Sequence, residues 1–338
     1  DVSREEQLLV DRIRRGEALG LDGPYVTRVF HQIIDDSVRL QQEVLQSIVN
    51  DGADTGRRVI RAAFLGIEGS YSHIAARRFF ARRASNLVAV PSAGFADVVR
   101  AVESGTAEYG VLTIENTTSG GINEVYDLLL HTSASIVGEL KLRIDHCLLG
   151  LPGATVDGIR VVHSHPQPMA QCSNYIARLQ NVRFAVSTDT ASSVREARAS
   201  NDVSNAAIAS AEAGRMFGLE VTASDIANHS ENYTRFLVIA RTAVEVDVRI
   251  PAKTSLVMST AQQSGALVDA LLVFRPHGVN LSKLESRPIL GNPWEEMFYV
   301  DVDGNVADPA FAAALASLGQ QTRFLKVLGT YPADDVPA

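Results

Sequence analysis

Thr234-Arg235-Phe236-Leu237-Val238-Ile239-Ala240-Arg241 reads as an apolar strand that starts on a hydroxyl beside a guanidinium. Such a pair can hold a carboxylate and hydrogen-bond a departing hydroxyl; taken alone, Thr234-Arg235-Phe236 is better explained as an exposed strand end with no chemistry. What precedes it gives the strand its weight. From Val59 onward, short apolar runs alternate with helical patterns. Strands are expected at 59–65, 87–90, 109–114, 136–137, 159–163, 184–186, 206–209 and 235–240, with helices near 73–84, 95–104, 121–131, 168–179, 191–199 and 210–217. This alternation implies an α/β architecture with largely parallel sheets. The 235–240 strand can return to the sheet that 59–65 opens, which makes residues 144–222 a second lobe inserted in the first, within a unit spanning 59–242. Two-lobed arrangements place a ligand in the cleft between the lobes.

Composition narrows the classes. With 338 residues, 46% of them hydrophobic, the chain can bury the cores of two or three domains. Net charge is −8, and basic residues cluster no further than pairs such as Arg57-Arg58, Arg77-Arg78 and Arg82-Arg83, so the electrostatic footprint of a nucleic-acid binder is missing. Cys147 and Cys172 stand singly without metal-ligand spacing, which favours buried thiols in a reducing compartment. His163 and His165 lack a further ligand at suitable spacing, so neither a metal nor any other cofactor is expected. No run approaches the roughly 20 apolar residues of a membrane helix, and the charged N-terminus is unlike a secretory signal, so the expectation is a cytoplasmic protein that meets no membrane.

Residues 1–49 read as two helices. Ser3 with Glu6 has the form of a capping box, and Asp22-Gly23-Pro24 marks a turn. Beyond it Val26, Val29, Phe30, Ile33, Ile34, Val38, Leu45 and Ile48 recur at helical intervals, an apolar stripe two helices cannot cover by themselves. Residues 50–58 are a polar linker. The last segment, 253–331, reads strand, helix, two strands, helix, strand, the ferredoxin-like βαββαβ order.

The expected cleft collects polar residues at strand ends. Gly66-Ile67-Glu68-Gly69-Ser70-Tyr71-Ser72 follows a strand and opens a helix, a turn that gathers free amides around an anion. Glu115 and Asn116 end a strand where α/β proteins bind ligands, although Asn116 also suits helix capping. Ser164-His165-Pro166-Gln167-Pro168-Met169-Ala170-Gln171 is stiffened by two prolines, and Ser164, Gln167 and Gln171 share one side if the helix starts near Pro166.

These segments, in this order, resemble prephenate dehydratase, the enzyme that converts prephenate to phenylpyruvate in phenylalanine biosynthesis. The resemblance covers about residues 60–331 and extends to Asn292-Pro293-Trp294-Glu295-Glu296 and Lys326-Val327-Leu328-Gly329. It departs at Thr113, where the family commonly has proline before Ile114-Glu115-Asn116. It implies a periplasmic-binding-protein-like catalytic domain in which Thr234, Glu115, Asn116, Ser164 and Gln171 do the chemistry. Ser70, Tyr71, Ser72, Thr117, Gln167, Thr190, Arg235 and Phe236 would bind substrate. Thr234 is expected to polarise the leaving hydroxyl; Glu115 is the other possible proton source, and Arg235 either balances a carboxylate or points away into an ion pair.

The C-terminal segment resembles the ACT regulatory module on Gly265-Ala266-Leu267-Val268 and Glu285-Ser286-Arg287-Pro288. That resemblance implies L-phenylalanine as an allosteric effector, held by these residues with Asn280 and Leu281 at the interface of a homodimer or larger homo-oligomer. Residues 1–49 resemble the second and third helices of the chorismate mutase domain fused ahead of the dehydratase in bifunctional enzymes, with Asp1, Arg4, Glu5, Ser37 and Gln41 at substrate-side positions. The mutase domain's first helix is not in this sequence, so mutase activity is expected only of a longer native chain. Two other classes remain open: a two-lobed solute-binding protein with an amino-acid sensor, and an ACT-bearing regulator, for which no basic recognition helix is found.

Overall fold

A computed structural model describes residues 2–50, 59–81, 86–289 and 295–334. They fall into two units, residues 1–55 with 245–250 and residues 56–244 with 251–338.

The first unit holds α1 (Val2–Ala18) and α2 (Gly23–Asn50). The turn between them is tied by the Tyr25 amide, which donates to Asp22 Oδ2 at 3.3 Å. The helices approach closely at Gly16, where a Cβ would lie 2.5 Å from a methyl of buried Val26. Gln46 donates to the Glu245 carbonyl and so ties the returning segment to α2. Of the stripe read from the sequence, Val26 is buried in this contact while Val29 and Ile33 stay exposed.

The second unit opens with β1 (Val59–Leu65), α3 (Tyr71–Phe80), β2 (Asn86–Ser92), α4 (Phe95–Glu103), β3 (Tyr109–Asn116), β4 (Gly120–Gly121), α5 (Asn123–His131) and β5 (Ser135–Arg143). The chain then builds another sheet from β6 (Cys147–Gly150), β7 (Val161–Ser164), α6 (Pro166–Gln171), α7 (Ser173–Ile176), β8 (Arg183–Val186), α8 (Thr190–Ser200), β9 (Asn205–Ala209), α9 (Ala211–Phe217) and β10 (Glu220–Ala223). After that it returns as β11 (Tyr233–Ala240), which takes its place between β3 and β5 in the order β2-β1-β3-β11-β5. β11 is antiparallel to both neighbours. The largely parallel sheet read from the sequence is thus corrected to a mixed one. The reason is geometric: β5 ends at Arg143 where the chain leaves for the other lobe, and β11 begins at Tyr233, paired with Arg143, where it comes back. The second sheet, β10-β6-β9-β7-β8, is mixed as well, because β6 and β10, absent from the strands read in the sequence, add antiparallel pairs.

The C-terminal residues form β12 (Ala252–Ser259), α10 (Ala266–Leu272), β13 (Asn280–Pro288), β14 (Glu296–Asp303), α11 (Pro309–Gln321) and β15 (Phe324–Pro332). Their antiparallel sheet has the order β13-β14-β12-β15. One face packs on its own helices through Leu256, Met258, Phe274, Val300, Phe311 and Leu318. The other shares a core with the first lobe, where Val257, Tyr299 and Leu328 meet Leu112, Ile136 and Leu237. Each such fully buried side chain is worth about 1.5–3 kcal/mol. Lys326 Nζ also donates to the carbonyls of Leu130 at 2.8 Å and Thr132 at 2.7 Å, closing the end of α5 from the facing sheet.

Candidate active site

The centre of the cleft is set by one irregularity. Between Arg235 and Phe236 the pairing of β11 with β3 shifts: Thr234 faces Asn116 and Arg235 faces Glu115, but Phe236 faces Thr113. Ile114 is the extra residue of a β-bulge, which re-aims the side chains that follow it. Without it, strict alternation would put Asn116 on the face that Ile114 occupies. With it, Asn116 comes to lie beside Thr234, its Nδ2 donating to Thr234 Oγ1 at 2.9 Å, to Asn232 Oδ1 at 2.7 Å and to the Tyr233 carbonyl at 3.0 Å. Thr234 Oγ1 therefore accepts, and among the described residues its own proton meets no protein acceptor.

Gln171, at the end of α6 in the other lobe, closes the arrangement. Its Nε2 donates to Asn116 Oδ1 at 3.2 Å, Thr118 Oγ1 at 2.8 Å and Ser119 Oγ at 3.1 Å. Its Oε1 lies 2.8 Å from His146 Nε2 and accepts from Asn232 Nδ2 at 3.3 Å. Gln167 one turn earlier donates to Ser119 Oγ. Thr117 Oγ1 donates to the Glu231 carbonyl at 3.0 Å and accepts from the Tyr233 amide, so it braces the approach to β11. Ser164 is fully buried and donates to the His165 carbonyl at 2.9 Å, without joining the network.

The glycine turn before α3 borders the same region. Ser70 caps α3, accepting from the His73 amide, and its Oγ donates to the Leu65 carbonyl at 3.1 Å. Gly66 has φ +88°, and a Cβ there would lie 3.4 Å from the Asp189 carboxyl of the second lobe. Asp189 caps α8, whose first residue is Thr190. Tyr71 OH donates to the Asp145 carbonyl at 3.0 Å and lies 3.1 Å from His146 Nδ1; Ser72 Oγ is 3.5 Å from Thr113 Oγ1. Burial pushes the Tyr71 hydroxyl well above its usual range, and burial holds His146 below the ordinary histidine value against the opposing effects of Gln171 and Asp145.

Besides Ser164, three further expected site residues point away from this cluster. Arg235 alternates to the opposite face of β11 and is buried there, its Nε donating to Glu139 at 2.7 Å, one Nη to Asp301 at 2.6 Å and Glu115 at 3.2 Å, and the other to Tyr331 OH at 3.1 Å. Of the two roles left open for Arg235, the ion pair is the one seen. Glu115 is turned the same way by the bulge and is bound by Lys283 of β13 as well. Burial raises its carboxyl, but the Lys283 hydrogen bond and the charges of Lys283 and Arg235 outweigh that and leave it below the usual carboxylate range. A carboxylate so held, behind the sheet, is no proton source for the cleft. Phe236 is buried in the core between the sheet and α3 with Phe64 and Phe80. His146, Asn232, Thr118 and Ser119 are the partners that sequence reading missed. None belongs to a motif, and their signal is positional: 144–146 and 224–232 are the two segments that cross between the lobes.

In the C-terminal sheet, Gly265 caps α10 at φ +84°, with Ala266 buried and Val268 exposed. Residues of β13 alternate. Lys283, Glu285 and Arg287 face the first lobe, Arg287 donating to Asp127 at 3.2 Å, while Ser286 and Pro288 lie outward. Asn280 donates to Asp303 at 2.7 Å, and Leu281 packs in the module core. Among the described residues no hydrogen bond or ion pair joins 265–268 to 285–288. In the helical unit Ser37 Oγ donates to the Ile33 carbonyl at 2.7 Å and Gln41 is exposed. Asp1, the side chains of Arg4 and Glu5, and Pro293-Trp294 lie outside the described residues, as do 51–58 of the expected linker. Cys147 and Cys172 are free and buried; no group of metal-ligating side chains and no helix able to cross a membrane occurs among the described residues.

Two α/β lobes around an uncharged amide and hydroxyl network, backed by an antiparallel βαββαβ sheet, define a small-molecule cleft protein with an appended module. The family model for prephenate dehydratase matches residues 62–244. A bifunctional chorismate mutase/prephenate dehydratase of Enterobacter agglomerans is 48% identical, the match covering 99% of this chain and 86% of the relative. The chain belongs to the prephenate dehydratase family. Among solved structures, the prephenate dehydratase of Arthrobacter aurescens in complex with L-Phe is 28% identical with a TM-score of 0.73, over 82% of this chain and 92% of that one. A protein described as a quorum quenching acylase, GqqA, is 34% identical with a TM-score of 0.73, over 82% and 99%.

Proposed function

We propose that the Asn116–Gln171–Thr234 cleft binds prephenate and turns it into phenylpyruvate. In that reaction the bond between the ring and its carboxylate breaks, carbon dioxide leaves, and the electron pair enters the ring as hydroxide departs and is protonated to water. Aromatisation drives the change, so the protein has to orient the substrate and ease hydroxide out. The observation that carries the reading is the Asn116 bond to Thr234, which occupies an oxygen lone pair and leaves the threonine proton for the cleft. A threonine is too weak an acid to titrate near neutrality, and its part is hydrogen-bond polarisation that strengthens as charge develops. Ser164, Gln167, Thr117 and the Ser70–Ser72 turn with Thr190 shape the pocket, the free amides of α3 serving a substrate carboxylate. Formation of phenylpyruvate from prephenate, followed by ultraviolet absorbance, tests this; acyl hydrolysis without phenylpyruvate would move the protein to the acylase class.

The C-terminal sheet is read as an ACT module and L-phenylalanine as its effector, supported by the relative whose structure holds L-Phe. With no hydrogen bond or ion pair joining 265–268 to 285–288 among the described residues, the effector site is read as shared between two copies, each supplying one segment. The α1–α2 unit, with Ser37 and Gln41 and the Arg4 and Glu5 positions, is read as part of a chorismate mutase domain, in keeping with the bifunctional relatives. A cytoplasmic location completes the proposal. Adding phenylalanine to the same assay, and measuring mass in solution, tests regulation and assembly.

A further inference from the structure

His146 lies on a crossing segment, is 2% exposed, and touches both lobes: its Nδ1 is 3.1 Å from Tyr71 OH of α3 and its Nε2 is 2.8 Å from Gln171 Oε1 of α6. The Tyr71 and His146 rings meet edge to face at 5.6 Å. A carboxamide oxygen only accepts, so the bond to Gln171 requires the imidazole proton on Nε2. That proton decides which way the Gln171 amide faces. With Oε1 held by His146, and by Asn232 from the second crossing segment, Nε2 of Gln171 is left to donate to Asn116 Oδ1 and to the hydroxyls of Thr118 and Ser119. Asn116 in turn, with its oxygen engaged, presents Nδ2 to Thr234. Were Gln171 reversed, two amide oxygens would face each other at Asn116, and Asn116 would turn its own amide over to donate to Gln171, presenting its oxygen to Thr234 and consuming the hydroxyl proton that the cleft needs.

We infer that His146 is a positioning residue for the dehydration, setting through its Nε2 proton the polarity of the amide chain Gln171–Asn116–Thr234 across the two lobes. This rests on the dehydratase reading above. The imidazole is closed off from solvent behind Gln171; Tyr71, whose hydroxyl proton is shared between the Asp145 carbonyl and the unprotonated Nδ1, fixes its ring, and its effect passes entirely through Gln171.

The test combines kinetics with one measurement that needs no turnover. His146→Leu, which cannot donate, should lower kcat on the order of 100-fold, the usual scale for a misplaced catalytic group. His146→Gln, with an amide donor near the Nε2 position, should restore most of that loss. In a Gln171→Ala background His146→Leu should cost no more than about two-fold, since the two residues act as one unit. An equal loss in both backgrounds, or no loss in the wild-type background, overturns the inference. Nitrogen-15 histidine spectra of the full chain should find the His146 proton on Nε2, with a resonance that shifts on Gln171→Ala; a proton on Nδ1 alone overturns it even if His146→Leu fails to fold. If the wild-type chain forms no phenylpyruvate, the dehydratase reading falls, and the spectra still decide whether His146 orients Gln171.

Discussion

Asn116 Nδ2 lies 2.9 Å from Thr234 Oγ1 across the antiparallel pair of β3 and β11, and it does so because Ile114 is bulged out of register. The same bulge sends Glu115 to the back of the sheet, where Lys283 and Arg235 hold it. A single extra residue thus decides which of two neighbouring polar side chains enters the cleft and which meets the C-terminal sheet.

Thr234→Ala removes the hydroxyl whose proton faces the cleft and leaves Asn116 without one of its acceptors. Turnover is expected to fall by roughly 10²–10³, as for loss of one transition-state donor, with KM changed only a few-fold. Thr234→Ser keeps the hydroxyl and should stay much nearer the wild type. Near-normal kcat for the alanine variant would refute the assignment.

Arg235→Leu leaves buried Asp301 without its cation and buried Glu139 with Lys253 alone. Breaking such a buried pair costs about 3–5 kcal/mol, so a large drop in the urea midpoint is expected. Substrate affinity measured where the variant remains folded should change little. A raised KM with unaltered stability would return Arg235 to the substrate.

Stability should decline as the pH is lowered from 7 toward 5. Burial depresses His73, His146 and His165 below the ordinary histidine value, so the unfolded chain binds more protons than the folded one between their folded values and about 6.5. Stability is complete above that window and is lost on descending through it. Glu115 and Glu139 are also depressed, but as carboxylates they lose their contribution only below about 4.3. Thermal midpoints across this range should fall less steeply for His146→Gln; an unchanged slope would remove His146 from the explanation.

Gly265 sits at φ +84°, which an L side chain adopts at a cost of about 1–2 kcal/mol. Gly265→Ala should therefore deform the start of α10. The concentration of phenylalanine giving half-inhibition should rise while uninhibited turnover is kept. Wild-type inhibition in this variant would place the effector elsewhere.

The alternation of short apolar runs with helical patterns was enough to specify two α/β lobes, since burial of period-2 and period-3.6 faces leaves few other architectures. The apolar run after Thr234 likewise required a buried strand, and the prolines around Gln167 required a helix start beside the cleft. Other features were decided only in three dimensions. The strand at 136–137 grows to nine residues because β11 returns beside it, and that return makes the sheet mixed. Which of Glu115 and Asn116 faces the cleft depends on the bulge at Ile114, a register shift that no residue type announces. Arg235 is drawn to the back of the sheet by Asp301 and Glu139, partners 66 and 96 residues away. His146 and Asn232 gain their roles from the crossing segments meeting between the lobes. Local pattern determines the elements because it acts over a few residues; the polarity of the site belongs to the tertiary structure, because it depends on hydrogen bonds between segments that only the fold brings together.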